Sequence, residues 1–563
     1  MQEPQNTSAL LTDVIQLLPQ GLPRDIARRP SILRFFGKLA VFAVVSAYCL
    51  LTHGLLLLND GIYWDDWAAL NPATRHIRLD VIKAVYREQG SLPTTAIHLW
   101  LLDAVGYKTC VFASILLSAV LVYALGRRLG GFSRIEATAL AMLFAGYPGV
   151  KTYVTFIAAN YVLYLALFLL AVFLATTPDR NSRAIPHVLR GVAALLFLLS
   201  FNMNSLLVFH YGFVALLAVW WWKSRRSADL TWLLVYASLP LLYWITKQSF
   251  FPRHAEFAAY NQFQHSPVTV ASAVIRFAIA VYGELQDVLR ELWAQPLLVL
   301  LTVGLICLVG RRLESKYPNL LRCSSRPERS VIFGILLLGL GAFPYVVVGL
   351  APADAWSSRH EMLVGLPLAI IVLGVTGVVE KERRGMLSLA SLSVLGLIVV
   401  GFTLTTVHTY IGWQARWVKD RSIMLNLSRM PELRKVSVFW IDDESGIGPA
   451  QVYDFYEWSG MFKAAWGEET HIGFDRRAYG PDALMANAAY YNKRYNLSGL
   501  DRCGQQATLT ILKGEYIPDD WKLALRYFQS RRNNQTLGAF LSTVTQVEWH
   551  PVSARIDNSC VNE

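Results

Sequence analysis

Long apolar runs separated by short bursts of basic residues dominate the first 410 residues. A helix that spans a bilayer needs about 20 mostly apolar residues, and residues 39–58 (LAVFAVVSAYCLLTHGLLLL) supply one such run. The other clear runs lie at 109–126, 135–148, 156–176, 230–246, 292–310, 331–350, 362–379 and 386–409. The pattern predicts a polytopic α-helical membrane protein.

Two further apolar stretches are ambiguous, and the positions of the basic residues decide between the alternatives. Residues 188–222 have basic bursts at both ends, so we expect a hairpin of two spans turning near Ser200–Ser205. Residues 268–283 are interrupted by Arg276, and a span there would place the basic loop 311–329 on the outer side. We therefore expect an interfacial or re-entrant helix, and about eleven spans in total.

The same rule predicts the orientation of the chain. Arg and Lys residues precede the first span, and the first 30 residues contain no apolar segment typical of a cleavable signal peptide. We expect an N-terminus inside and a C-terminus outside. The predicted organisation is a cytoplasmic segment 1–38, a transmembrane module 39–410 with a first outer loop 59–108, and an extracytoplasmic domain 411–563.

The last 150 or so residues have a different pattern. The runs VSVFWI (436–441) and ATLTIL (507–512) are typical of strands, whereas 449–466 is typical of a helix. These features predict a mixed α/β domain. Cys503 and Cys560 both lie in it, and an oxidising compartment would favour a disulfide between them.

Composition excludes several classes of protein. Hydrophobic residues make up 54% of the 563 and charged residues only 16%, against about a quarter charged in soluble domains. The 52 Lys and Arg exceed the 40 Asp and Glu, for a net charge of +12, but they do not cluster as a nucleic-acid surface would require. An ordinary soluble enzyme, a disordered chain and a nucleic-acid-binding protein are excluded.

An acidic pair, Asp65 and Asp66, follows the first span within the segment GIYWDDW (61–67). Two adjacent carboxylates near headgroups repel each other, which raises at least one pKa and suits a general base. Alternatively, Asp66 caps a helix that begins at Trp67. The pair could hold Mg²⁺ or Mn²⁺, although the spacing identifies no further ligand and no cofactor is certain.

In residues 77–87, apolar residues recur at helical spacing with basic residues between them. The pattern predicts an amphipathic helix lying in the plane of the membrane interface. Its basic side could hold an anionic lipid headgroup, or it could simply be solvated.

A first span followed at once by an acidic pair and an interfacial helix resembles the GT-C superfamily of integral-membrane glycosyltransferases. The segment AWSSRHEM (355–362) is similar to the Arg-bearing outer loop of that family, and the subfamily stays open. The resemblance implies a GT-C-like fold that moves a sugar from a polyprenyl-phosphate donor to a glycan, lipid or protein acceptor. Transfer would occur at the outer face, which we expect to belong to a bacterial inner membrane.

The resemblance also implies roles for particular residues. Asp65 or Asp66 would take the proton of the acceptor hydroxyl, and Arg359 is the first choice for the donor phosphate because a guanidinium binds phosphate in a bidentate manner. Each cation could instead anchor a helix end at the interface. The further substrate-binding candidates are Lys151, Arg253, His254 and His360.

Two other functions compete with this one. A resemblance to an O-antigen polymerase or ligase would depend on Arg and His residues in a large loop late in the chain. Here the acidic pair lies in the first loop instead. A transporter or flippase of lipid-linked saccharides would place ionisable groups near the bilayer midplane, whereas the predicted spans are nearly free of charge. Both rivals are disfavoured.

Overall fold

A computed structural model of the protein describes most of the chain. The described residues are 31–71, 74, 76–178, 184–254, 262–264, 266–316, 327–352, 355–381, 388–467, 470–480, 504–514 and 519–552. Cys503 and Cys560 lie outside these ranges, so their disulfide stays a prediction.

The chain divides into two compact units. One, the sheet unit, consists of Leu55–Lys83, Tyr153–Ile157 and Val407–Glu563, and the other, the helical unit, contains the remaining segments. The segment that follows the first apolar helix therefore belongs to the same unit as the C-terminal α/β region. This grouping places the acidic pair among residues several hundred positions away in sequence.

Helices account for most of the described chain. The first seven are α1 Ser31–Leu58, α2 Asp66–Ala69, α3 Leu79–Glu88, α4 Thr95–Val105, α5 Tyr107–Arg128, α6 Arg134–Gly146 and α7 Phe156–Ala175. The next eight are α8 Ala184–Ser200, α9 Ser205–Ser224, α10 Ser227–Phe250, α11 Pro267–Ala294, α12 Pro296–Lys316, α13 Pro327–Val346, α14 Gly365–Lys381 and α15 Leu389–Ser428. Short 3₁₀ turns at Ser357–Glu361 and Pro431–Lys435 precede α14 and follow α15.

Eight of the described helices are long and apolar enough to cross a membrane, which confirms a polytopic helical membrane protein. They are α1, α5, α7, α9, α10, α11, α13 and α15. Three shorter apolar helices accompany them, at Thr95–Val105, Ile185–Ser200 and Gly365–Glu380. The break between α8 and α9 lies at the turn expected near Ser200–Ser205. The total of eleven spans and the orientation remain predictions.

Helix α11 differs from the interfacial segment expected at 268–283, because it continues for 28 residues and is long and apolar enough to cross a membrane. Its polar contacts, however, are made with loops. Arg276 donates to the Gly349 carbonyl after α13 at 3.1 Å, and Glu284 pairs with Lys151, in the loop after α6, at 2.7 Å. These contacts keep the interfacial prediction open.

The C-terminal part forms a small mixed α/β fold, as the sequence predicts. Its elements are β1 Val436–Asp443, α16 Phe455–Trp466, β2 Ile472–Asp475, β3 Gln505–Lys513, α17 Asp520–Ser530, α18 Asn534–Leu541 and β4 Thr545–Pro551. The strand order is β2-β1-β3-β4; β1 is parallel to both neighbours and β4 is antiparallel to β3. The alternating burial of β3 shows that one face of the sheet packs on a core.

Candidate functional site

The acidic pair lies at the start of α2 in the sheet unit. The expectation that Asp66 caps a helix starting at Trp67 is wrong, since α2 begins at Asp66 itself. The carboxylate of Asp66 is fully buried and accepts a hydrogen bond from the backbone N–H of Phe156 at 2.8 Å. Phe156 is the first residue of α7, so Asp66 satisfies one of the N–H groups that a helix start leaves unpaired.

Asp65 has a different environment from Asp66. It occupies the N-cap position of α2 but makes no side-chain capping bond, and it is only partly buried. The structure therefore distinguishes two neighbouring carboxylates, either of which the sequence offered as the general base. Asp66 is committed to a structural contact, whereas Asp65 keeps access to solvent.

The residue before the pair has a strained backbone. Trp64 has φ = +50°, in the left-handed region, which is unusual for a bulky residue. Such a conformation costs on the order of 1–3 kcal/mol and persists only where the surroundings impose it. Here Glu457 Oε1 accepts from the Trp64 backbone N–H at 2.9 Å, and Asp454 Oδ2 accepts from the indole Nε1–H at 3.2 Å. Two carboxylates of the C-terminal region thus hold the turn that presents Asp65.

Glu457 is itself held in a buried network. The guanidinium of Arg416 donates to Glu457 Oε1 at 2.7 Å, and both side chains are inaccessible to solvent. The second carboxylate oxygen of Glu457 accepts from the Asp454 N–H at 2.9 Å, which completes a capping box at the start of α16. Burial raises the pKa of Glu457 to about 7, and the Arg416 charge opposes that rise.

The segment between α1 and the pair is also fixed. Tyr63 donates from its hydroxyl to the Trp413 carbonyl at 2.7 Å and accepts from the Asn59 amide at 3.0 Å. Glycine is required at 61, because a β-carbon there would lie 2.1 Å from the Tyr63 ring. Asp60 accepts from the Tyr527 hydroxyl. These contacts order the loop that leads to the acidic pair.

In the described ranges, no three His, Cys, Asp or Glu side chains gather as ligands for a metal ion. Mg²⁺ usually keeps several waters and takes one or two protein carboxylates, so a metal at the acidic pair stays an expectation. One oxygen of Asp66 is already engaged by Phe156. We derive no step through a metal.

The helical unit contains the five candidate substrate-binding residues, and two of them lie in the 3₁₀ turn Ser357–Glu361. The Arg359 guanidinium is half-buried and donates to the Trp356 carbonyl at 2.7 Å. His360 is buried against Tyr345, with ring centroids 4.7 Å apart. Burial, with a smaller contribution from Arg359, lowers the pKa of His360 to about 3, so the imidazole is neutral at physiological pH.

This turn is joined to the loop after α6. The backbone N–H of Lys151 donates to the Ser358 hydroxyl at 2.9 Å, and Tyr147 donates to Glu361. Gly149 allows the approach, since a β-carbon there would lie 2.1 Å from Glu361 Oε2. Burial raises the pKa of Glu361 to about 8. Arg359 is thus carried by a turn with several fixed contacts.

The ammonium group of Lys151 lies 2.7 Å from Glu284 and 3.8 Å from Asp287. Two carboxylates already compensate its charge, so this geometry gives less support to a phosphate-binding role for Lys151 than the sequence did. Lys151 serves as a link between α11 and the loop after α6.

A cation that sequence reasoning missed lies near Arg253. Lys247 is only 9% exposed, and its ammonium donates to the Asn204 side chain at 3.1 Å. No carboxylate pairs with it in the described part of the chain, and the nearby charge of Arg253 repels it. A buried ammonium in such surroundings is costly and is stabilised when an anion binds.

His254 directly follows Arg253 and is exposed. Its backbone N–H donates to the Glu88 carbonyl at 2.9 Å, which ties the segment after α10 to the end of α3. The five candidates thus form two groups within the helical unit. One consists of Arg359, His360 and Lys151, and the other consists of Arg253 and His254.

Sequence reasoning overlooked Lys247 because a lysine at the end of an apolar run is typical of an interfacial anchor. The available signal was weak: a second cation, Arg253, follows six residues later, and a polar turn with Asn204 lies between two apolar runs. Glu457 and Arg416 were missed for another reason, since nothing local marks either as a neighbour of residue 64.

Comparison with known proteins gives limited results. No protein-family model matches the chain, and no curated protein matches it. Two crystal structures of ArnT from Cupriavidus metallidurans are similar to it, each at 12% sequence identity. The one bound to undecaprenyl phosphate has a TM-score of 0.37 and covers 90% of this chain and 95% of its own. The apo structure has a TM-score of 0.40, with coverages of 89% and 95%. At this level of similarity the likeness assigns no activity to this chain.

Proposed function

We propose that the protein is a glycosyltransferase that moves a sugar from a polyprenyl-phosphate donor to an acceptor hydroxyl at the outer face of the membrane. The observation that carries the proposal is the acidic pair after the first apolar helix, in a strained turn that Glu457 and Asp454 hold. Strain of this kind gathers at functional sites. A bacterial inner membrane and a glycan, lipid or protein acceptor belong to the same proposal.

Asp65 is the proposed general base. It is partly exposed and does not cap α2, whereas Asp66 is buried and holds the start of α7. The acceptor hydroxyl gives its proton to an Asp65 oxygen as its own oxygen bonds to the anomeric carbon. The bond from that carbon to the phosphate oxygen breaks, and its electron pair leaves with the polyprenyl phosphate. Asp66 positions the turn.

The phosphate needs cations, because negative charge develops on it as the sugar departs. Arg359 remains the first candidate, since its guanidinium is only half-buried and can offer a bidentate contact. Lys247 joins it as a buried ammonium without a carboxylate partner among the described residues, with Arg253 nearby. The secondary candidates for substrate binding are His254, His360 and Lys151.

The experiment compares donor lipids in cells that lack the protein and in cells restored with variants. Asp65→Asn should leave the polyprenyl-phosphate sugar unconsumed, because the loss of a general base slows turnover by roughly 10²–10⁴-fold. Asp80→Asn is the matched control, since Asp80 is exposed on α3. Mass spectrometry of lipid extracts gives the ratio of sugar-bearing to free polyprenyl phosphate.

Two outcomes would overturn the proposal. If Asp65→Asn restores donor consumption as fully as Asp80→Asn does, Asp65 is not the base. If the purified protein moves the donor between leaflets without releasing polyprenyl phosphate, the transporter hypothesis is correct.

A further inference from the structure

Helix α17 in the sheet unit presents apolar side chains on its outer side. Its inner side is buried through Leu523, Ala524 and Tyr527. On the other side Trp521 is 55% exposed and Leu525, one turn later, is 48% exposed. An indole and a leucine in this arrangement favour contact with an apolar medium.

The two ends of α17 lie beside the ends of two apolar segments. Arg531, directly after α17, donates to the carbonyl of Leu58, the last residue of α1, at 3.2 Å. At the other end, Asp520 Oδ2 lies 4.0 Å from the position that a β-carbon on Gly412 would take. Gly412 lies within α15, just after the apolar run 386–409. Helix α17 therefore lies beside the last residue of α1 and beside the part of α15 that follows its apolar run.

Charge complements the apolar residues. Four exposed cations, Lys522, Arg526, Arg531 and Arg532, lie on or just after α17. Lys522 is partly compensated by Asp519 at 3.3 Å, and Arg526 stacks over the Phe540 ring at 5.3 Å while staying exposed. A helix with exposed apolar residues flanked by cations lies in a membrane interface and attracts anionic headgroups.

We propose that α17 is an interfacial helix that inserts Trp521 and Leu525 among the lipids and binds anionic phospholipid through Arg526 and Arg532. Its partner is the bilayer that surrounds the protein. The proposal concerns a surface distinct from the acidic pair, so it does not depend on the transferase activity.

The test uses the full chain in nanodiscs of equimolar phosphatidylcholine and phosphatidylglycerol. Photoreactive benzoylphenylalanine replaces Trp521 or Leu525, and in the control it replaces Glu548, an exposed residue of β4. After illumination, mass spectrometry identifies what is attached. Lipid adducts are expected at 521 and 525 but not at 548, with phosphatidylglycerol enriched over phosphatidylcholine.

A second pair of variants separates the apolar and charged contributions. Combining Arg526→Gln with Arg532→Gln should remove the enrichment in phosphatidylglycerol while lipid adducts at 521 persist. Absence of lipid adducts at 521 and 525, equal yields at 548, or adducts to a second protein copy would overturn the proposal. Enrichment that survives the double substitution would refute the role of the two arginines.

Discussion

The left-handed backbone of Trp64 gives a sharp prediction, because alanine and glycine should behave there in the reverse of their usual order. Trp64→Ala and Trp64→Gly both remove the indole and its bond to Asp454. They differ only in the β-carbon, which costs roughly 1–2 kcal/mol in the left-handed region. Glycine adopts φ = +50° without that cost.

That difference corresponds to roughly 5–30-fold in the population of the turn that presents Asp65. We therefore expect Trp64→Gly to be the more stable of the two variants and to turn over the donor faster. The assays are thermal unfolding of the purified protein and the release of polyprenyl phosphate. A difference confined to stability would show that the turn does not position the base.

Ala68 provides the matched control, since it lies in α2 a few residues away. Ala68→Gly should follow the ordinary order and destabilise by about 0.5–1 kcal/mol. The reasoning is refuted if Trp64→Ala equals or exceeds Trp64→Gly in both stability and turnover.

Three further predictions concern other parts of the chain. Lys247→Met should raise the KM for the donor by ~10–150-fold, because it removes a charge-assisted contact with the phosphate. The melting temperature should not fall, because the substitution also removes a buried charge. An unchanged KM would exclude Lys247 from the site. The pKa of Glu361 is raised by burial from 4.5 to about 8, so its contribution to stability is full below pH 4.5 and is lost as the pH rises toward about 8. Glu361→Gln should flatten the decline in melting temperature over that window, and an unchanged slope would contradict this assignment. Reporter fusions after residue 410 should be extracytoplasmic and those after Arg312 or Arg384 cytoplasmic; the reverse pattern would overturn the orientation.

The features that the sequence predicted correctly are those that local patterns encode. The runs at 436–441 and 507–512 are strands within β1 and β3, because alternation of apolar residues is a property of neighbouring positions. The amphipathic segment at 77–87 is likewise a helix, α3. The acidic pair was visible because charge next to an apolar run is unusual.

The features that the sequence did not reveal depend on contacts between distant residues. Asp66 and Phe156 are 90 positions apart, and Trp64 and Glu457 are 393 apart. No local pattern tells which of two adjacent carboxylates is buried by a partner so far away. The burial of Lys247 likewise depends on the turn containing Asn204, whereas its own neighbours suggest only a helix end.

The hydrogen bond between Tyr63 and Trp413 also constrains how the chain is threaded through the bilayer. It joins the segment that follows the first apolar helix to a residue beyond the apolar run of the last one. A chain that leaves one side of a membrane and returns to it crosses an even number of times. We therefore expect an even number of crossings between Leu58 and Trp413, with α1 and α15 running through the membrane in the same direction. If α11 is counted as a full crossing, one further crossing between Leu58 and Trp413 must be added or removed to keep the number even.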